Sequence, residues 1–523
     1  MGIVEDVVAG YASEGPALDL GTLVVDGEPV PEAVVRLPLS VLNRHGLVAG
    51  ATGTGKTRTL QLMAERLSAA GVATFVADVK GDLSGLAVPG EAGEKLLRRT
   101  ESMRQAWTAT GYPVEFLALG GRGQGVPVRA SLSAFGPVLL SKVLGLNDVQ
   151  TSSLGLVFHW ADQAGLPLLD LEDLRAVVQH LTSDEGGDDL KELGGLARST
   201  AGVILRELVA FAGSGADAFF GEPEFDTADL LRTADDGRGV ISCLELPSVA
   251  DQPVLFSTFL MWLLADLFAT LPEVGDLDVP KLVFFFDEAH LLFRDASKDF
   301  LAQVAQTVRL IRSKGVGVVF VTQTPDDVPR EVLGQLGSRV QHALRAFTPE
   351  DAKALRATAS TYPTSEHYDL EELLTSVGTG EAVVTLLSED GAPTPVAWTR
   401  IYAPQASMSP APEAEIAARV QASPLLAEYG QAVDRDSAYE MLARRMDVDE
   451  EPAVAPAPVP NPSSEPHRAP DPNPTRRPAP AELTAVEKVL ESPAFRSMMR
   501  SAATVIGREI TRSVLGVGRR RRR

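Results

Sequence analysis

The sequence predicts an α/β fold in which a parallel, doubly wound sheet carries helices on both faces. Two observations lead to this prediction. Short apolar runs of strand length recur along the chain and are separated by stretches with helical periodicity. One run leads directly into a glycine-rich loop, and another ends at two adjacent acidic residues. Apolar strands that alternate with helices are typical of a sheet that is covered on both faces.

Seven apolar runs are expected to form the parallel strands, at residues 47–49, 72–77, 114–118, 240–246, 282–286, 316–321 and 340–344. Farther along the chain, residues 382–386 and 394–398 flank the sequence SEDGAP. An Asp-Gly pair between apolar runs is a hairpin signal, so Asp390 and Gly391 are predicted to form the turn. These runs define a predicted core over residues 41–130 and 237–404, which a short segment, residues 1–40, precedes.

Residues 131–236 lack a strand signal and are predicted to form a helical insertion. Helical periodicity is found in the stretches 152–164, 171–181 and 195–212. Residues 254–271 are apolar over nearly the length of a membrane span. They include Asp266, have no basic flank and lie between two predicted strands, so we expect a buried crossover helix and no stable membrane insertion.

The composition changes beyond residue 404. A helical extension is predicted at residues 405–446, mainly over 413–445, and the Pro- and Ala-rich stretch 447–481 is predicted to be a disordered linker. Residues 482–523 contain ten basic and four acidic residues. Ser492 and Pro493 suit a helix start, and seven apolar side chains then share one helical face, at Phe495, Met498, Met499, Ala502, Val505, Ile506 and Ile510. A basic amphipathic C-terminal helix is therefore expected, and it is a candidate site for a protein partner.

Composition and charge favour a cytoplasmic protein. The only cysteine is Cys243, so no intrachain disulfide can form. The first residues, MGIVEDVVAGYASEG, lack the basic and apolar regions of a signal peptide. The formal net charge of -22 argues against a broad nonspecific nucleic-acid surface, but it is compatible with a local basic channel.

The glycine-rich loop reads GATGTGKT and matches G-x-x-x-x-G-K-[ST] between a predicted strand and a predicted helix. We call it the P-loop; it consists of Gly50, Ala51, Thr52, Gly53, Thr54, Gly55, Lys56 and Thr57, and Arg58 follows it. Backbone N–H groups of such a loop and the N-terminus of the next helix bind phosphate oxygens. Lys56 is expected to contact the β- and γ-phosphates and Thr57 to ligate Mg²⁺, so the predicted cofactors are ATP and Mg²⁺.

A second acidic motif lies in the sequence KLVFFFDEAH, where an apolar strand ends at Asp287 and Glu288. Asp287 suits the coordination shell of Mg²⁺, and Glu288 suits a group that polarises the attacking water. His290 completes the letters DEAH, and we expect it to pack or to cap a helix. The strand at 316–321 leads to Gln323, a polar side chain that is expected at the same sheet edge, where it can sense the γ-phosphate or orient the water.

Two arginines, Arg309 and Arg312, share one face of the helix that is predicted after the acidic motif. Their spacing alone is compatible with an exposed surface pair and with a role in the site.

The sequences GATGTGKT, FFFDEAH, RLIRSKGVGVVFVTQ and LGQLGSRVQHALRAFTPED occur in the order that is found in the HerA/FtsK group of P-loop ATPases, and the chain resembles that group. The phrases DVKGDLSGL and GREITRSVLG resemble more closely a HerA-like bacterial subfamily of poorly defined role. This resemblance implies a RecA-like ATPase core in which Lys56 and Thr57 bind nucleotide and metal, Asp287 and Glu288 form the second acidic motif, and Gln323 is the sensor. Such ATPases commonly assemble as hexameric rings that move DNA.

The same resemblance implies that Arg312 reaches into the site of a neighbouring subunit. Arg309 is a second candidate for this role, and Arg339 is a weaker one. The chain departs from the group at its N-terminus, because HerA proteins proper carry a small β-barrel there and only residues 1–40 precede the P-loop strand. This departure, the helical insertion and the tail argue against a simple transfer of DNA-end processing to this chain.

Three functions are compatible with these motifs. The first is a homo-oligomeric, most simply hexameric, Mg²⁺-dependent ATPase that translocates or remodels DNA. The second is a motor of the same fold that moves a protein, which the acidic charge balance mildly favours. The third is a scaffold whose assembly is gated by nucleotide.

Overall fold

The computed structural model describes residues 2–449 except 191–193, 276, 294–297 and 389. It contains a twelve-stranded sheet in the order β2-β1-β12-β11-β10-β3-β9-β8-β4-β7-β5-β6. Strands β1 to β12 span Ala17–Val25, Glu28–Pro38, Gly46–Ala49, Ala73–Asp78, Val114–Leu119, Val126–Val128, Ile241–Glu245, Leu282–Phe286, Val316–Thr322, Ser338–Gln341, Glu381–Thr385 and Ala397–Ile401.

Sixteen α-helices lie in the described part of the chain. Helices α1 to α8 span Ile3–Gly10, Lys56–Ala69, Glu94–Ser102, Leu132–Val143, Asp148–Gln163, Leu171–Thr182, Arg198–Gly213 and Pro253–Thr270. Helices α9 to α16 span His290–Phe293, Lys298–Ile311, Arg330–Leu333, Pro349–Ala359, Leu370–Ser376, Glu413–Ala422, Leu426–Tyr429 and Ala438–Asp449.

The α/β fold prediction is confirmed, but the sheet is mixed. The eight strands from β10 to β6 in sheet order pair in parallel, whereas β2, β1, β12 and β11 form an antiparallel extension beyond β10. Each of the seven predicted parallel runs overlaps one of the observed strands. The predicted hairpin corresponds to β11 and β12, and its second strand begins at residue 397 instead of 394 because only that part pairs with β11.

The N-terminal strands β1 and β2 were not predicted. Asp26 and Gly27 join them with φ angles of 50° and 81°, and this Asp-Gly turn is the same signal that identified the later hairpin. Pro29 and Pro31 interrupt the strand pattern of β2, which is why it does not read as a strand. The short β6 was missed as well, because three residues carry no recognisable pattern.

Alternate side chains of each central strand enter two apolar cores on opposite faces of the sheet. On β8, Phe284 and Phe286 belong to one core, and Val283 and Phe285 belong to the other. A period of two that is apolar on both faces is the pattern of a fully covered strand. The P-loop helix α2 packs in the second core.

Helix α8 confirms the predicted crossover helix. Its Phe259, Trp262 and Leu263 are buried in the first core together with residues of α4 to α7. None of the described helices has both the length and the apolar character that a membrane crossing requires.

The stretch predicted as one helical region at 413–445 is divided into α14, α15 and α16. Helix α14 ends before Pro424, which cannot continue a preceding helix. The chain between Gly430 and Ser437 is not helical and separates α15 from α16. Helix α16 continues to Asp449, three residues into the predicted linker. The rest of that linker and the predicted tail helix at 482–523 lie outside the described residues.

Candidate active site

The carboxyl ends of four neighbouring parallel strands bring the predicted site residues to one edge of the sheet, which we call the carboxyl edge. Ala49 at the end of β3 pairs with Thr322 of β9, and Phe286 of β8 lies between Phe320 and Ala77. The P-loop and the Asp287–Glu288 pair therefore begin at the same edge of the sheet, with β9 between the strands that precede them. This edge of an open α/β sheet is where ligands bind.

The P-loop turns tightly between β3 and α2. Gly53 and Gly55 have φ angles of 78° and 120°, a range that favours glycine. The Gly50 N–H donates to the carbonyls of Thr322 and Gln323 at 3.3 and 3.2 Å, which ties the loop to the end of β9. Helix α2 starts at Lys56, so its first N–H groups and positive dipole end face the loop.

Lys56 is buried and its Nζ donates to the Ala51 carbonyl at 3.2 Å. Burial lowers the pKa of Lys56, and the negative charges of Glu288 and Asp287 partly oppose this effect. The lysine, the loop and the two carboxylates thus lie within electrostatic reach of one another. This combination suits a phosphorylated ligand with a bound cation.

His342 and Gly380 support the P-loop from behind, and neither residue was predicted. The His342 ring accepts from Thr59 Oγ1 through Nε2 at 2.8 Å and donates through Nδ1 to the Glu381 carbonyl at 2.7 Å. The Gly380 N–H donates to the Thr54 carbonyl at 2.9 Å. A Cβ on Gly50 would come within 2.5 Å of His342 Cβ, so the loop packs directly on this support.

Asp287 is buried at the end of β8 and fits a cation site. Its Oδ2 has no hydrogen-bond partner among the described residues. Burial and the neighbouring negative charge of Glu288 raise the pKa of Asp287 to about 7. An unpartnered buried carboxylate oxygen is costly unless a cation or donor satisfies it, and carboxylate and hydroxyl oxygens are ligands that Mg²⁺ accepts. Asp287 is therefore able to hold Mg²⁺, and Thr57, the second residue of α2, carries a hydroxyl of the kind that could be a further ligand.

Glu288 is buried beside Asp287 and pairs with Lys80. Lys80 Nζ bonds to Glu288 Oε1, and His290 Nδ1 lies 3.1 Å from Glu288 Oε2. Burial alone would raise the pKa of Glu288, but the hydrogen bond and the charge of Lys80 lower it below its ordinary value. Glu288 is thus held as a carboxylate, the form that can accept a proton from water.

Gln323 lies directly after β9 and interacts with Glu288, where its hydrogen bond also contributes to the lowered pKa of that carboxyl group. Its side chain is exposed at the carboxyl edge. The structure therefore brings together the P-loop, Asp287, Glu288 and Gln323, as the sequence predicts.

A cavity of about 450 Å³ opens beside the start of α2. Its lining includes Gly55, Arg58, Thr59, Gly380, Tyr402 and Met408. Residues 402–411, which we call the strap, run along α2 and form the far wall. Glu65 on α2 accepts from the N–H groups of Gln405 and Ala406 at 2.8 and 3.0 Å, so the strap is fixed to the P-loop helix.

The predicted arginines lie away from this edge. Arg312 follows α10 and lies four residues before the start of β9, so it belongs to the opposite, amino edge of the sheet, and Arg339 is the second residue of the four-residue strand β10. Arg309 is exposed on α10. Burial lowers the pKa of His45, which precedes β3, to about 4, and the charge of Arg312 adds to this effect. Strand β9 contains seven residues, which extend over about 20 Å. This length separates Arg312 from the end of β9 that lies beside the P-loop.

Lys80, His342 and Gly380 are the site residues that sequence reasoning missed. Lys80 lies in the phrase DVKGDLSGL, which supported the family resemblance but received no chemical role. A cation directly after an apolar strand was the available signal. His342 carried no comparable signal, because its role depends on the neighbouring positions of β3, β10 and β11.

Comparison with known families and structures gives a consistent result. The family described as Helicase HerA-like C-terminal matches residues 24–522. No curated protein matches the chain in sequence.

Solved structures of similar fold include the bacterial conjugative coupling protein TrwBdeltaN70. That structure has a TM-score of 0.51 and 15% identity, and the match covers 78% of this chain and 94% of that one. Plasmid coupling protein TrwB with ADP and Mg²⁺ has a TM-score of 0.49 and 16% identity, covering 76% and 97%. VirB4 of Thermoanaerobacter pseudethanolicus has a TM-score of 0.45 and 14% identity, covering 75% and 98%.

Proposed function

This chain belongs to the helicase HerA-like C-terminal family, and from that membership and its site we propose that it is a Mg²⁺-dependent ATPase motor that acts on DNA as a homo-oligomer. The observation that carries this proposal is the meeting of Lys56, Asp287 and Glu288 at one sheet edge. A phosphate-binding loop, a cation ligand and a carboxylate base are the three parts that NTP hydrolysis needs.

Each part has a defined role in the proposal. The P-loop N–H groups and Lys56 bind the β- and γ-phosphates, and Thr57 and Asp287 hold Mg²⁺. When bound, Mg²⁺ neutralises charge on the β- and γ-phosphate oxygens. Glu288 accepts a proton from the attacking water, and Gln323 orients that water.

The cavity beside α2 offers room for the base and ribose of the nucleotide. Thr59 and Arg58 follow the P-loop and line this cavity, while Met408 and Tyr402 of the strap supply its other wall. Adenosine and phosphates would then occupy adjoining sites along the start of one helix.

The arginines support an assembly of several copies. Arg312 precedes the seven-residue strand β9, whose other end lies beside the P-loop, and a side chain does not span that length of about 20 Å. A ring, which we propose to be a hexamer, would place the amino edge of one copy beside the carboxyl edge of the next. One of these arginines would then complete the site of its neighbour.

The test measures ATP hydrolysis with Mg²⁺ alone, with duplex DNA and with single-stranded DNA. Molecular mass is measured with and without a nonhydrolysable ATP analogue. We expect DNA-stimulated turnover, a larger assembly with the analogue, and loss of turnover in Lys56→Ala. Lys353→Ala, which changes an exposed lysine on α12, serves as the matched control.

The outcomes separate the competing functions. If DNA does not change the rate of ATP hydrolysis but a co-purifying protein raises it, the result would indicate a motor that moves a protein. ATP-dependent assembly with negligible turnover would indicate a nucleotide-gated scaffold. A Lys56→Ala variant as active as the wild-type protein would overturn the ATPase assignment itself.

A further inference from the structure

We propose that Lys80 is a positioning residue of this active site, which holds one oxygen of the Glu288 carboxylate so that the second oxygen faces the attacking water. This inference rests on the proposed hydrolysis at Glu288. It gives a chemical role to the DVKGDLSGL phrase, in which Lys80 is the only cation.

The contact between the two side chains is direct. Lys80 Nζ bonds to Glu288 Oε1 across 208 residues of sequence. Glu288 is 6% exposed, whereas the Lys80 side chain is 49% exposed. Lys80 therefore reaches from the surface of the carboxyl edge to a buried carboxylate, and the strands β4 and β8 that precede the two residues are neighbours in the sheet.

The backbone around Lys80 is fixed by Asp78. Asp78 Oδ1 accepts from the N–H groups of Lys80 and Gly81 at 3.2 and 2.8 Å, and Oδ2 accepts from Leu83 at 2.9 Å. Gly81 has a φ angle of 76°, which closes the turn. The buried aspartate thus fixes the backbone conformation that follows β4, on which Lys80 lies. A residue that orients another group needs such a fixed backbone.

Glu288 needs such an external contact. Its own φ angle is 48°, an uncommon value for a side chain with a Cβ. Glu288 Oε2 and His290 Nδ1 lie 3.1 Å apart, but neither atom forms a hydrogen bond within the described residues. Lys80 and Gln323 are thus the side chains that restrain the carboxylate, and Oε2, which has no hydrogen-bond partner among the described residues, is the oxygen left for the attacking water.

Two other roles for Lys80 make opposite predictions. If Lys80 contacts the phosphates directly, its removal should weaken nucleotide binding and should act independently of Glu288. If the lysine is a latch that keeps Glu288 inactive, its removal should raise turnover. A positioning role predicts a lower kcat with nearly unchanged nucleotide affinity.

The experiment compares Lys80→Met and Lys80→Arg with Lys353→Met as the control. We expect Lys80→Met to lower kcat about 10²-fold, the loss typical of a misplaced catalytic group, and to leave KM and the Kd for a fluorescent ATP analogue within about 2-fold. Lys80→Arg should recover most of the turnover, because a guanidinium can make the same bond. Circular dichroism and melting temperature confirm that each variant is folded.

A double-mutant cycle decides between the roles. In a Glu288→Gln background, Lys80→Met should lower the residual turnover no further, because the carboxylate that it positions is already gone. An equal loss in both backgrounds, a raised kcat, or failure of Lys80→Arg to restore turnover would each overturn the inference.

The cycle also separates this inference from the proposed function. If Glu288→Gln is as active as the wild-type protein, the base assignment fails together with the role of Lys80. If Glu288→Gln is inactive and Lys80→Met is fully active, only the role of Lys80 fails.

Discussion

The carboxyl and amino edges of the central sheet differ in how their buried polar groups are satisfied. At the carboxyl edge, Glu288 is paired with Lys80, and both ring nitrogens of His342 are hydrogen-bonded. At the amino edge, Asn43 forms no side-chain hydrogen bond among the described residues, and His45 Nε2 is likewise without a partner there. The carboxyl edge has unbonded buried atoms as well, Asp287 Oδ2 and Glu288 Oε2, but these belong to the proposed site for Mg²⁺ and water, whereas the unbonded atoms of Asn43 and His45 belong to no proposed site of the same chain.

This difference indicates what a single chain can and cannot supply. The carboxyl edge contains the P-loop and the proposed cation ligand and base, Asp287 and Glu288, all from the same chain. The arginines expected to act on the phosphates lie at the amino edge. Under the proposed function, one copy contains two parts of a site, and a second copy would bring them together.

Substitution of Arg312 should give the largest effect among the tests of a site divided between the carboxyl edge of one copy and the amino edge of another. We expect Arg312→Ala to retain ATP affinity and fold but to lower turnover by about 10³- to 10⁵-fold, the contribution of an arginine that neutralises transition-state charge. Mixing Arg312→Ala with Lys56→Ala should restore part of the activity, because some sites then pair an intact P-loop with an intact arginine. Steady-state hydrolysis as a function of the mixing ratio provides the measurement.

Arg309→Ala is the internal control for this experiment. A strong effect at Arg309 and none at Arg312 would move the assignment by one helical turn. If both variants hydrolyse ATP normally and the protein remains monomeric with ATP, the two edges do not cooperate between copies.

Asp287→Asn tests the carboxyl edge alone. The amide loses the negative charge that attracts Mg²⁺, so the Mg²⁺ concentration for half-maximal turnover should rise by at least about 10-fold, within the range known for changes around metal sites. Titration of Mg²⁺ at saturating ATP measures this, and Asp235→Asn in an exposed loop is the control. An unchanged Mg²⁺ requirement would remove Asp287 from the metal site.

Two buried histidines, His342 at the carboxyl edge and His45 at the amino edge, differ in their hydrogen bonds. Their substitution shows how each affects the free energy of unfolding. Burial lowers the pKa of both His342 and His45 to about 4. Between pH 6.5 and 4 the unfolded chain binds a proton that the folded chain does not, so each histidine lowers the free energy of unfolding by about 1.4 kcal/mol per pH unit as the pH falls. His342→Asn and His45→Asn should each remove one such contribution from the pH dependence of stability.

At pH 7.5 the two substitutions should differ. His342→Asn loses two hydrogen bonds and should cost about 1–3 kcal/mol. His45 accepts one hydrogen bond, from the Val318 N–H at 3.1 Å. His45→Asn should therefore lower the free energy of unfolding by less than His342→Asn does. Urea unfolding of both variants gives the comparison, and equal costs would show that the unbonded His45 Nε2 has no energetic consequence.

The smallest expected effect concerns the cavity beside the P-loop. Met408→Trp places a larger side chain against the proposed nucleoside site and should raise KM for ATP about 5-fold, equivalent to roughly 1 kcal/mol, without changing kcat. Val149→Trp, at a 67% exposed position on α5, is the matched control. An unchanged KM would place the nucleoside elsewhere.

The sequence allowed prediction of features whose residues are contiguous. The P-loop and the Asp287–Glu288 pair each follow a buried strand within one short segment, and the parallel arrangement of those strands then brings the two motifs together. Strands such as β8 were predictable because their apolar runs are uninterrupted. These features depend on local pattern and on one general rule of α/β sheets.

The missed features depend on strand order. Lys80 meets Glu288 only because β4 and β8 are adjacent, and His342 supports the P-loop only because β10 lies beside β3. No local pattern in the sequence determines which strands become neighbours. The division of residues 413–445 into three helices was missed for a different reason, since helical composition outweighed the single Pro424.

The two outermost strands limit how the sheet could grow. Strand β2 forms one border and contains Pro29 and Pro31, which have no N–H to donate, while β6 at the other border has three residues and includes Pro127. Exposed charged residues on β2, such as Glu32, add repulsion against an approaching strand. Edges of this kind oppose aggregation by strand addition. Even at high concentration, copies of this chain should therefore not join their sheets edge to edge.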